Sequence, residues 1–203
     1  MERQQGEKMN KVKFDTRKLV LLALLTAIVV VLQAVASLIP VYPFRLTLVL
    51  VPMVIGAALI GRSAGAWLGF AFGLVVLVSS PDVIPFMQFS APATILLVLL
   101  KGALAGLAAG FIYKLLEKKS KTVAVISAAV ICPIVNTGIF VLGMYFFFLP
   151  LISEWAVEAT SVTSFIFIGM IGVNFILEFA VNLVFSPVIV RLIQYGQSRR
   201  PLA

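Results

Sequence analysis

The chain has 203 residues, a formal net charge of +8, 62% hydrophobic residues and only 12% charged ones, with a mean hydropathy of +1.13. A soluble domain of this size has too little interior to hide that much apolar surface. The composition therefore excludes a soluble globular protein and predicts an all-α polytopic membrane protein.

Six apolar stretches follow one another, at 17–38, 47–60, 64–78, 93–116, 122–149 and 165–194. A helix needs about 20 apolar residues to cross a bilayer core. Residues 1–16 are polar and read as a cytoplasmic lead-in ahead of a retained first span, since no small-residue cleavage site follows it cleanly. The second and third stretches are short. Gly61, Arg62 and Ser63 alone separate them, which predicts a tight helical hairpin; a re-entrant hairpin, giving five spans, is the alternative. Between the third and fourth stretches, residues 79–92 carry Pro81, Pro85 and Pro92 beside Phe86, Met87 and Phe89. This reads as a stiff outward loop, either a lid over a pocket or an anchor at the membrane interface. Residues 196–203 form a basic cytoplasmic tail. The expected organisation is thus a six-transmembrane-helix bundle over 17–195, with both termini cytoplasmic.

The orientation comes from the basic residues. All of the 16 except Arg45 and Lys101 flank the same side of the six stretches, in the lead-in, at Arg62, around Lys119 and at the C-terminal end. Short loops rich in Lys and Arg stay in the cytoplasm. No aromatic-basic surface accompanies them, so the charge does not imply nucleic acid.

Several chemistries are excluded. There is no His, which removes His-dependent metal and proton chemistry. No Gly-x-x-x-x-Gly-Lys-Ser/Thr segment is present, so the chain does not itself cradle ATP. No Asp cluster could hold magnesium, and the single Cys132 lies in an apolar stretch. No enzyme activity and no cofactor are expected in this chain.

Two charges fall inside spans, Lys101 and Glu178. Such residues cost about 2.5–3.5 kcal/mol on insertion scales and usually face a cavity or each other. Here they are either a structural pair or a ligand-binding charge with its counter-ion. Asn174, Glu178 and Asn182 recur every fourth residue and share one helix face. Asn136 and Thr137 follow Pro133 at mid-depth in the fifth stretch. These polar groups either line a pocket or hydrogen-bond between helices. The outer gap after the first stretch holds Tyr42 and a lone cation, Arg45; the later outer loop adds Phe86 and Gln88. The candidate binding set is therefore Arg45, Lys101, Asn136, Thr137, Asn174, Glu178, Tyr42, Phe86 and Gln88. Glycines at 65, 69 and 73 and at 102, 106 and 110 form two stripes that let helix backbones approach closely.

Six spans in about 200 residues, an Ala23-x-x-x-Ala27 pair in the first, and Cys132-Pro133-Ile134-Val135-Asn136-Thr137-Gly138 in the fifth resemble the substrate-binding S component of energy-coupling factor (ECF) vitamin transporters. The resemblance covers about 17–194. It implies a multi-pass protein of the bacterial plasma membrane that captures a small vitamin from outside. It implies docking on a membrane-embedded coupling protein through Ala23 and Ala27, with two cytoplasmic ATPase subunits using the ATP. Metal-binding members use an N-terminal His, absent here. Arg45 and Lys101 suit an anion, and the asparagines suit amides or hydroxyls, so pantothenate is the expected ligand. Riboflavin or folate, an ion-coupled carrier using Lys101 and Glu178, or a purely structural subunit are the alternatives.

Overall fold

The computed structural model describes residues 16–38, 40–41, 44–45, 49–156 and 161–198. Eight helices appear among them: α1 (Thr16–Ala36), α2 (Leu50–Leu59), α3 (Arg62–Ser79), α4 (Ile84–Leu116), α5 (Lys121–Phe147), α6 (Leu149–Trp155), α7 (Val162–Ser164) and α8 (Val173–Ser198). A 3-10 turn at Pro81–Val83 leads into α4, and a π-helical stretch, Phe165–Gly172, joins α7 to α8. Two-residue strands β1 (Pro40–Val41) and β2 (Phe44–Arg45) pair antiparallel, with Pro40 opposite Arg45. Five helices among the described residues are long and apolar enough to cross a membrane, and α2 is a shorter apolar helix of 10 residues. The expected lead-in and most of the tail lie outside the described residues, and α8 runs on to Ser198.

The expected hairpin between the second and third stretches forms. Gly61, with φ of 139°, makes the turn, a backbone conformation that L side chains rarely adopt. Its N–H donates to the Gly56 carbonyl at 3.3 Å.

The expectation of a loop over 79–92 is corrected. Pro81 and Pro85 stand at the first positions of the 3-10 turn and of α4, where a missing N–H costs nothing. Most of the segment is therefore helical. Pro92 sits inside α4, where its ring and missing donor disturb the preceding turn. The chain answers with an extended Ser90 (φ −157°, ψ 95°), which kinks the helix, and Thr94 Oγ1 donates to the Ser90 carbonyl at 2.8 Å. In α8, Pro187 likewise withdraws the donor for Leu183, and the Ser186 hydroxyl supplies one at 2.7 Å.

Helices α3 and α4 meet along the two glycine stripes. A Cβ on Gly69 would collide with the carbonyl of Gly102, and one on Gly106 with the carbonyl of Gly65; the reverse pairs clash as well. At the ends of the seam, Gly73 faces Val98 and Gly110 faces Arg62. Lipid offers no hydrophobic drive between helices, so close backbone packing supplies the attraction. Gly69→Ala is expected to destabilise the protein by about 3 kcal/mol, the upper range for overpacking, because a carbonyl cannot rotate aside. The roughly 1 kcal/mol gain in helix propensity offsets only part of that. Gly138→Ala is the contrast, since its Cβ meets nothing within 4 Å. Thermal unfolding in detergent should show a lowered midpoint for the first and none for the second.

The buried apolar side chains form two clusters. One joins Leu25, Met53, Leu68, Phe72, Tyr113, Cys132 and Ile189. The other joins Phe86, Leu97, Met144, Phe148, Ile152 and Ile166. On α5 and α8, the buried polar residues fall between positions that belong to these two clusters.

Candidate functional site

On α5, Cys132 belongs to the first cluster and Met144 to the second; Asn136 lies between them, 4% exposed. On α8, Phe175 packs on the second cluster and Ile189 belongs to the first; Glu178 and Asn182 lie between, 6% and 1% exposed. The Asn182 amide donates to the Glu178 carbonyl at 2.9 Å, which fixes its orientation. Its Oδ1 then has no hydrogen-bond partner, nor does Oδ1 of Asn136. An orphaned buried carbonyl costs about 1–3 kcal/mol. Each of the two, in the layer between the clusters, is a point that a donor-bearing group or water would relieve.

Lys101 comes to this layer from α4. Its ammonium lies 4.9 Å from the centre of the Phe140 ring on α5 and 5.9 Å from that of Phe72 on α3. A desolvated cation over an aromatic face gains up to about 2 kcal/mol, less than the insertion cost, so rings alone do not hold it. Glu178 acts on it electrostatically, more strongly than Asp82 does. Lys101 on α4 and Glu178 on α8 thus attract one another electrostatically.

Phe140 also links this layer to an aromatic cluster. Phe86 packs edge-on against Phe140, Phe148 and Trp155, with ring centres 6.5, 5.2 and 5.5 Å apart. Phe89 adds a contact to Phe148 at 6.0 Å. Phe86 is a buried residue of α4's first turns and not of a loop, joined to this layer through Phe140. The resulting arrangement is a polar layer beneath an aromatic cap, built from α3, α4, α5, α6 and α8.

The other expected site residues are distributed as follows. Thr137 is half-buried beside Asn136. Gln88 is exposed and lines a groove with Ser79, Ser80 and Met87, away from Phe86's aromatic partners. Tyr42 lies outside the described residues, and so do the side chains of Arg45 and Asn174. Ala23 and Ala27 are both exposed on α1, whose opposite face buries Leu25, Val29, Gln33 and Ala36. Between the alanines, Thr26 accepts a bond from the Trp67 indole at 3.2 Å. Phe72, Phe140 and Trp155 were not expected at the site. Only the four-residue spacing of Phe140 from Asn136 carried a signal for any of them.

Residues 17–190 match the family described as "ECF transporter, substrate-specific component". The chain belongs to that family. No curated protein matches it. Membership makes it a substrate-binding subunit of a transporter, partnered by coupling and ATPase subunits. A substrate-specific component requires a site reachable from one side of the membrane.

Proposed function

We propose that this S component captures a small water-soluble vitamin from outside, with pantothenate as the ligand, and delivers it through a membrane coupling protein driven by two cytoplasmic ATPases. The observation that carries the reading is the pair of unpartnered carboxamide oxygens, on Asn136 and Asn182, in the layer that holds Lys101 and Glu178. The ammonium would take the carboxylate, and the carboxamides would take amide N–H or hydroxyl donors. The six-crossing reading, with both termini cytoplasmic in a bacterial plasma membrane, places the Phe86 end of α4 outward, where a ligand would arrive. Ala23 and Ala27, exposed on the outer surface of α1, are the proposed docking positions.

A flat aromatic vitamin of the riboflavin or folate type is the second reading, favoured by the cluster of Phe86, Phe140, Phe148 and Trp155. Native mass spectrometry of the chain, purified gently from cells fed all three vitamins, separates the two. A bound mass equal to pantothenate is the expected result. A flavin or folate mass would replace the ligand, and an empty chain with uptake that needs no ATPase would replace the mechanism.

A further inference from the structure

Apart from the polar layer, α1 buries Gln33 to 3% exposure, and its side-chain oxygen Oε1 has no hydrogen-bond partner. One turn later, Ser37 is also buried. Its Oγ lies 2.9 Å from the Gln33 backbone carbonyl, 3.0 Å from Ser79 Oγ and 3.1 Å from Ser80 Oγ, and the Gln33 amide donates to it at 3.4 Å. Ser79 Oγ donates to the Val75 carbonyl at 2.8 Å.

The protons of this node can be counted. A hydroxyl has one hydrogen, and a backbone carbonyl has none to give. The Gln33 and Val75 carbonyls therefore take the hydrogens of Ser37 and Ser79. Ser80 Oγ–H and one Gln33 N–H can fill the acceptor sites of Ser37 Oγ, and Gln33 Oε1 is left with no donor. The node thus holds one buried acceptor, Gln33 Oε1, with nothing to accept, and it carries no charge. Ser79 and Ser80 also line a groove of about 440 Å³ with Pro81, Met87 and Gln88, so a ligand group can reach them.

Phe72, beside the Lys101 ammonium, and Ser79 are both on α3. Their seven-residue separation corresponds to about 10 Å of helix rise. A chain of eight bonds, extended at the backbone's reach of about 3.5 Å per three bonds, spans about 9 Å. Eight bonds separate the carboxylate carbon of pantothenate from its terminal hydroxyl oxygen. We propose that the Gln33–Ser37–Ser79–Ser80 node is a second ligand subsite, which accepts the hydroxyl of an extended hydroxy-carboxylate whose anionic end lies at Lys101. This rests on the capture reading above and adds to it the far end of the ligand.

The test is calorimetric titration of the full chain in lipid nanodiscs. The probes are pantothenate and its analogue with the terminal hydroxyl replaced by hydrogen. Against the unmodified chain, the analogue should bind about five- to tenfold more weakly, the range for one hydrogen bond. Gln33→Met keeps the length of the side chain and removes its oxygen. It should lose about the same factor towards pantothenate and no longer distinguish the two probes. Ser37→Ala, a smaller change, should blunt the distinction too, and serves if Gln33→Met fails to fold. Full pantothenate affinity in Gln33→Met would overturn the subsite and leave the node to an ordered water only. Persistent discrimination in both variants, or no pantothenate binding by the unmodified chain, would overturn it equally. If Lys101→Met loses the co-purifying vitamin while Gln33→Met retains it, the capture reading stands and the subsite alone falls.

Discussion

Replacing Ala23 and Ala27 together by tryptophan is expected to abolish vitamin uptake by cells while leaving ligand binding to the isolated chain unchanged. Both alanines are exposed on α1, among Val20, Leu24, Ile28 and Val31, which are exposed too. The face they form is smooth because neither carries more than a methyl group, and helices in lipid associate through such close approach. Two indoles would hold a partner helix several ångströms away and remove the contact outright. The inner face of α1, through Leu25 and Val29, is untouched, so the fold and the capture site should survive. Transport of labelled vitamin reads the first effect and titration of purified chain the second. Uptake at the normal rate by the double variant would remove these alanines from the docking surface. Binding lost along with uptake would point to misfolding.

The second large effect is expected at Lys101. Lys101→Met removes the cation that faces Phe140 and interacts with Glu178. A hydrogen bond to a charged group is worth about 1.5–3 kcal/mol, so an anionic ligand should bind at least about tenfold more weakly. Stability should move differently. The variant escapes the cost of an intramembrane ammonium, about 2.5–3.5 kcal/mol, but leaves the Glu178 charge without its opposite. Combining Lys101→Met with Glu178→Gln removes both charges, and this double variant should melt at or above the parent temperature and still bind poorly. Glu178→Gln alone should weaken binding only modestly. Full-affinity binding by Lys101→Met would show that the lysine serves packing and that the ligand need not be an anion.

The sequence made the membrane class, the long helices and the facing glycine stripes readable because each is a local or periodic property. Hydropathy marks a span without knowledge of its neighbours, and glycines four apart can only form a stripe on one face. The segment 79–92 was misjudged because three prolines suggest a loop. Two of them sit where a helix begins, and only Pro92 disturbs it, through Ser90. The π-helical stretch Phe165–Gly172 gave no warning, since nothing in its composition distinguishes it from an ordinary apolar helix. The aromatic cap was invisible for a different reason. Phe86, Phe140 and Trp155 lie on three helices, and a meeting of that kind depends on tertiary packing. Gln33 was legible and passed over: a glutamine inside a span, four residues before a serine and four after Val29, is a polar group on a buried face.

The glycine seam limits how this molecule can change shape. Most helix pairs slide over one another by letting interlocked side chains hop between rotamers, so small shears are cheap. The contact between α3 and α4 has backbone against backbone at Gly65, Gly69, Gly102 and Gly106, with no rotamer to exchange. A shift along either axis would drive a carbonyl into the next residue's Cβ. The pair therefore behaves as one rigid beam. Any difference between the empty and loaded protein must be expressed in the elements arranged around it: α1 and α2, α5 with α8 beyond it, and the short N-terminal arm of α4 before Ser90.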